Sequence, residues 1–197
     1  MTETINTPFP KAYHAIDEAT KENGFTMPSV PLACSLLETL AASKPGGKLL
    51  ELGTGTGLST AWILQGMDKN STLTSLDHDE ALLKIAEEYL GHDDRLELVL
   101  QDGEAWVKAN LDKRYDFIFA DTWHGKYLLL DEVLNMLNPG GLYIIDDMLP
   151  QENWPEGHTE KAIKLEEYLE SREDLVLTKL KWSTGIMIAT KKESLAL

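Results

Sequence analysis

A chain of 197 residues, 43% hydrophobic and 26% charged, fits one soluble domain with a substantial core. Its formal net charge of −15 argues against nucleic-acid phosphates and anionic membranes as partners, since both are bound through clustered Lys and Arg. A single cysteine, Cys34, excludes an intramolecular disulfide; without a signal-peptide pattern or a long apolar span, the expected location is cytoplasmic. In chain order, the first 25 or so residues carry a mixed helical pattern (Tyr13, Ile16, Ala19), and Pro28 and Pro31 mark a turn. A helix is expected from Leu32 to Ser43, with Cys34 as a small core residue, and Pro45-Gly46-Gly47 ends it. Strands are then expected near 48–53, 72–77, 95–100, 115–120 and 141–146, and helices near 57–66, 79–90, 103–111, 126–137 and 159–171. Asn138-Pro139-Gly140-Gly141 is a turn into the fifth strand. Such alternation predicts βαβ units with right-handed crossovers, a doubly wound parallel sheet with helices on both faces. Leu175–Lys181 and Gly185–Thr190 are separated by three residues, too few for a helical crossover, and so form an antiparallel hairpin.

The densest signal lies at the first strand end. In Leu49-Leu-Glu-Leu-Gly-Thr-Gly-Thr-Gly-Leu-Ser-Thr60, an apolar strand runs into glycines at 53, 55 and 57 and then into a helix. Glycine lets backbone approach a ligand closely. The spacing is not the G-x-G-x-x-G of dinucleotide-binding folds. The next strand ends in Asp77-His78-Asp79, where Asp77 suits the two hydroxyls of a ribose and Asp79 suits a helix cap. Glu51-x-Gly-x-Gly-x-Gly with a following strand-tip acid resembles the cofactor turn of class I S-adenosylmethionine-dependent methyltransferases. That resemblance spans roughly Met27 to Lys192 and implies a seven-stranded, mostly parallel, Rossmann-like sheet whose C-terminal hairpin inserts antiparallel. It implies S-adenosyl-L-methionine as cofactor, held by Glu51, Gly53, Thr54, Gly55 and Ser59, by Asp77 and His78, by Asp102, Gly103 and Glu104, and by Asp121 and Trp123. Asp102 is equally suited to capping the helix that follows it, and Trp123 to flanking adenine or substrate.

Asp121-Thr-Trp-His-Gly-Lys-Tyr127 resembles the corresponding segment of catechol O-methyltransferase and, more loosely, of the cation-dependent caffeoyl-CoA type. That family binds a divalent ion with this Asp and an Asp-Asn pair at the next strand tip. Here the set is Asp121, Asp146 and Asp147, with Asp in place of Asn, and Mg²⁺ or another divalent cation is the implied ligand. His124 stands where the family carries its proposed base, a Lys, so Asp121, His124 and Lys126 are the catalytic candidates, with His158 a competitor as base. The 148–159 connection, with Pro150, Asn153, Trp154 and Pro155, is lid-like, and residues 1–31 form a cap over the cofactor, all within one domain, 1–197. The implied activity is O-methylation of a small-molecule hydroxyl, with no nucleic-acid or membrane partner and with a homodimer left open. A non-catalytic cofactor-binding or interaction module and an aminopropyl transferase are the alternatives.

Overall fold

The computed structural model describes residues 2–151 and 154–193. In chain order its elements are α1 (Tyr13–Asn23), α2 (Pro31–Ala42), β1 (Lys48–Leu52), α3 (Leu58–Gly66), β2 (Thr72–Asp77), α4 (Glu80–Leu90), β3 (Leu96–Leu100), α5 (Gly103–Ala109), β4 (Tyr115–Ala120), α6 (Leu130–Asn135), β5 (Leu137–Ile145), α7 (His158–Ser171), β6 (Leu175–Leu180) and β7 (Ile186–Lys191). The strands form one seven-stranded sheet in the order β3-β2-β1-β4-β5-β7-β6. β1 to β5 pair in parallel, and β7 inserts antiparallel between β5 and β6, so the hairpin expected from the short 182–184 connection is present.

Side-chain alternation builds a core on each face. Leu49, Phe117, Phe119 and Ile144 pack with the largely apolar α3 and with α1 and α2, whereas Leu50, Leu52, Ile118 and Ile145 pack with residues of α5, α6 and α7. Cys34 is a buried member of the first cluster, as its helical position suggested. Each fully buried Leu, Ile or Phe contributes roughly 1.5–3 kcal/mol. The β4 and β5 ends, buried on both sides, read as apolar runs (Phe117–Ala120, Leu142–Ile145) for this reason. Strand order reverses between β1 and β4, so their C-terminal tips open a crevice. Among the described residues, no helix is long and apolar enough to cross a membrane.

Two local features differ from the sequence expectation. The helix expected near 126–137 is confined to Leu130–Asn135. Gly125 (φ 85°) and Leu129 (φ 57°) both adopt left-handed backbone, and Tyr127 and Leu128 donate to the Trp123 carbonyl, so 123–129 is a compact loop. Tyr143, in the middle of β5, donates its hydroxyl to the Gly125 carbonyl and holds that loop to the sheet. Asn138-Pro139-Gly140-Gly141 lies within β5 as an irregularity: pairing with β4 moves from Tyr115↔Leu137 to Phe117↔Leu142.

Candidate active site

The glycine turn is stitched to two neighbouring strands. Gly53 and Thr54 both donate N–H to the Leu76 carbonyl, at 2.9 and 3.1 Å. Gly53 has φ 101°, and a Cβ there would stand 2.7 Å from the Asp121 carbonyl oxygen, so the β1 and β4 tips approach as closely as backbone permits. Gly55 donates N–H to Asp77 Oδ2 (2.9 Å), while Asp77 Oδ1 accepts from the Asp79 N–H (3.0 Å). Asp79 caps α4, accepting from Ala81 and Leu82. Asp77 is thus a fixed carboxylate at the crevice, and Asp79 is spent on the helix.

Glu51 lies under this turn. It is fully buried and accepts three hydroxyls: Ser59 Oγ at 2.6 Å, Thr60 Oγ1 at 2.5 Å and Ser75 Oγ at 2.6 Å. Thr54 joins through Ser75 at 2.6 Å. One carboxylate therefore ties the turn, α3 and β2 together. Burial pushes its pKa up to about 7, the hydroxyls only partly opposing. The folded chain then holds a proton that the unfolded chain releases above 4.5, so stability falls as pH rises from 4.5 to 7 and levels off beyond. At 1.36 kcal/mol per unit the loss is about 3 kcal/mol. Glu51→Gln, which cannot ionise, should flatten that profile; urea midpoints between about pH 5 and pH 8 check it, and an unchanged slope would assign the pH dependence elsewhere.

Above the turn lies a cavity of about 510 Å³. Of the sequence candidates, Gly53, Thr54, Gly55, Ser59, Asp77, His78, Gly103, Asp121 and His124 line it. Glu51, Asp102, Glu104 and Trp123 do not. Asp102 accepts from the Ala105 N–H as the α5 cap, Glu104 pairs with Lys108, and Trp123 faces the opposite side of its loop. The wall adds residues that the motif reading passed over, notably Phe25 and Gln101. Gln101 directly precedes Asp102 at the same strand tip. Phe25 carries no local signal, because it reaches the glycine turn from the α1–α2 connection. That connection closes one side of the cavity through Gly24, Phe25, Met27, Pro28 and Ser29, and Thr20 of α1 donates its hydroxyl to Thr56 (2.7 Å).

At the β4 and β5 tips, one carboxylate oxygen from each of Asp121, Asp146 and Asp147 lies within 4.8 Å of the others. Phe119 pairs with Ile144, so Asp121 and Asp146 leave their strands at the same level. Ser29 donates to Asp121 Oδ2 at 3.0 Å. Asp147 holds φ 50°, a strained state for a non-glycine residue that re-aims the chain after β5. Asp146 is 3% exposed, and its Oδ1 is buried without a partner among the described residues. Burial raises the pKa of Asp121 and Asp146, and repulsion among the three carboxylates adds to it. Lys126, 5% exposed, opposes this with its charge and donates Nζ to the Asp146 carbonyl at 2.6 Å. Three oxygen donors with an orphaned buried oxygen fit a hard divalent cation.

Two histidines flank this acidic set. His124 packs on the α5 start, its Nδ1 2.8 Å from where a Gly103 Cβ would be. His158, the first residue of α7, meets the Tyr127 hydroxyl through Nε2 at 3.1 Å. Its ring lies among Trp154 (centroids 4.4 Å apart), Tyr127 (5.4 Å) and Trp123 (5.8 Å). Its Nδ1 is buried without a partner among the described residues. Burial lowers the His158 pKa, helped by Lys126 and Lys161 and opposed by Asp147. The 148–157 connection reaches this aromatic cluster after pairing Met148 and Leu149 with the Gly185 and Thr184 carbonyls; Asn153, read as part of the lid-like segment, lies outside the described residues.

A "Putative O-methyltransferase" of Mycobacterium avium (strain 104) is 29% identical over 130 residues, covering 62% of this chain and 56% of that protein. The chain thus spans little more than half the length of the curated relatives it matches. A Corynebacterium glutamicum structure superposes with a TM-score of 0.81 at 23% identity, covering 96% of this chain and 93% of that one. The O-methyltransferase from Bacillus cereus, solved in complex with SAH, gives 0.81 at 18% identity, covering 95% and 94%. These likenesses establish a shared fold. Residues 50–148, half of the chain and the part that carries the glycine turn, Asp77 and the acidic set, match the model of a methyltransferase domain, and the chain belongs to that methyltransferase family.

Proposed function

We propose that this chain is an S-adenosylmethionine-dependent O-methyltransferase acting on a small-molecule hydroxyl in the cytoplasm. The observation that carries this reading is Asp121, which is both a wall of the glycine-turn cavity and a member of the acidic set. Relatives named O-methyltransferases and a neighbour solved with SAH support it. When bound, S-adenosylmethionine supplies a sulfonium methyl group, which an acceptor oxygen takes while the C–S electron pair leaves to sulfur. Asp77 would offer its free lone pairs to the ribose hydroxyls, and Gln101, Gly103 and His124, which line the same cavity, would face the adenine. His124 so placed is remote in role from the acceptor. His158, beside Asp147 and Tyr127, is the base that accepts the hydroxyl proton. Lys126 holds its Nζ against the Asp146 carbonyl, next to the carboxylates. Asp121, Asp146 and Asp147 would hold a divalent cation, whose charge beside the acceptor hydroxyl favours its ionised form.

Radiolabelled cofactor with a catechol as acceptor tests this. Label should pass to the catechol, the rate should fall with EDTA, and Mg²⁺ should restore it. Turnover unchanged by EDTA would remove the cation from the account and leave Lys126 as the counter-charge. Cofactor binding without transfer to any phenol would favour a non-catalytic module.

A further inference from the structure

The loop from Asp121 to Tyr127 separates two cavities that share no lining residue. Asp121, Thr122 and His124 face the first, while Trp123, Lys126 and Tyr127 face a second of about 550 Å³, closed on its far side by α7. None of Asp121, Asp146, Asp147 and His158 lines the second, so it lies apart from the groups assigned to methyl transfer. Its walls are held in place: Tyr143 donates to the Gly125 carbonyl and Lys126 to the Asp146 carbonyl, which pins the loop to β5. Opposite the loop, Lys161, Lys164, Leu165 and Tyr168 recur at helical spacing and form one stripe of α7. Large apolar surface stays open to water between these walls: Trp123 is 43% exposed, Leu128 49% and Tyr168 38%. Aromatic surface held open in a concavity of this size marks a small-molecule site.

Its charge runs against that of the chain. In a protein of net charge −15, α7 presents Lys161 and Lys164, one turn apart, to this cavity. Lys21, Lys84, Lys108, Lys179 and Lys191 each pair with a carboxylate. Lys161 and Lys164 pair with none among the described residues, and Lys161 Nζ instead stands 4.5 Å from the Trp123 ring centroid. Asp131, an acid of the same wall, is taken up by Arg172 and the Tyr168 hydroxyl, which leaves Glu132 as the wall's other acid. Two cations beside open aromatic surface complement an anion that is itself flat and apolar.

We propose that the second cavity is a binding site for a small planar aromatic anion, separate from the cofactor site and from the methyl acceptor. The ring lies along the open surface of Trp123 and Tyr168, and the acidic group meets Lys161 and Lys164. The ligand needs no hydroxyl, because recognition rests on its plane and its charge. The site stands on its own walls and does not depend on the O-methyltransferase reading.

The test titrates three probes into the full chain by calorimetry. 2-Naphthoate is planar and anionic, 2-naphthamide is planar and neutral, and cyclohexanecarboxylate is anionic without an aromatic plane. Naphthoate should bind at one site, about tenfold more tightly than either of the others, and about 0.5 M salt should erode its advantage over the amide. In a Lys161→Gln/Lys164→Gln double variant that advantage should fall to about twofold or less, with naphthamide affinity unchanged. Saturating S-adenosylhomocysteine (SAH) should leave naphthoate affinity unchanged, because the two cavities share no wall residue. Equal binding of naphthoate and naphthamide by the wild type, an advantage that survives the double variant, binding of none of the probes, or displacement of naphthoate by SAH would overturn the proposal. SAH binding by itself tests the methyltransferase reading, so the two can fail separately.

Discussion

His158→Ala should lower turnover about 10²–10⁴-fold at saturating cofactor and leave the affinity for SAH unchanged. The ring is already placed: Tyr127 meets one nitrogen at 3.1 Å, three aromatic rings pack around it, and the second nitrogen is buried without a partner among the described residues. Its environment also sets the protonation state. Burial, Lys126 and Lys161 lower the pKa below 6.5, Asp147 opposing, so the neutral, proton-accepting form prevails at neutral pH. The wild-type rate should therefore rise with pH through an ionisation below 6.5 and be level above it. His158→Gln, which keeps polarity but cannot take the proton, should be as slow as the alanine variant. His124→Ala should show the opposite pattern, with weaker SAH binding and nearly full turnover at saturation, because His124 packs on Gly103 at the cofactor wall. Loss of turnover in His124→Ala with none in His158→Ala would move the base to His124.

Gly53→Ala should destabilise the fold by about 2–4 kcal/mol and abolish measurable SAH binding. Two costs combine. The backbone sits at φ 101°, where an L side chain is strained, and the new Cβ would stand 2.7 Å from the Asp121 carbonyl oxygen and 3.1 Å from its carbon. Both obstacles are backbone at the β4 tip, which cannot yield without moving Asp121 itself. Gly46→Ala is the control. It also has positive φ (68°) but meets nothing within 4 Å, so only the conformational cost remains, about 1–2 kcal/mol. Urea unfolding and calorimetry on the two variants separate the terms. Equal costs at 53 and 46 would show that the β1–β4 approach does not constrain the turn.

The parts of the fold legible in the sequence were those with local causes. The central strands β4 and β5 end in apolar runs (Phe117–Ala120, Leu142–Ile145), Gly53-x-Gly55-x-Gly57 announces a turn, and the short connection between β6 and β7 permits only a hairpin. The loop at 123–129 was not legible, because Tyr127-Leu-Leu-Leu130 has helical apolar character. Its shape is set from elsewhere, by Tyr143 at the Gly125 carbonyl and by the burial of Lys126 against Asp146. Glu51 looked like a cofactor contact, yet its partners Ser59, Thr60 and Ser75 lie 8 to 24 residues on and draw it into the interior. At Asp102 the alternative of a helix cap is the one the structure adopts. The acidic set was visible because strand tips are predictable places. The contact of His158 with Tyr127, 31 residues apart, depends on the path of the 148–157 connection, which no periodicity encodes.

The central claim is that the glycine-turn cavity binds S-adenosylmethionine through Asp77. Calorimetric titration of SAH into the wild type and into Asp77→Ala tests it most directly. The expected result is one site in the wild type, weakened by about 1.5–3 kcal/mol in Asp77→Ala through loss of charge-assisted hydrogen bonds. No SAH binding with NAD bound instead, or equal SAH affinity in the two proteins, would contradict it.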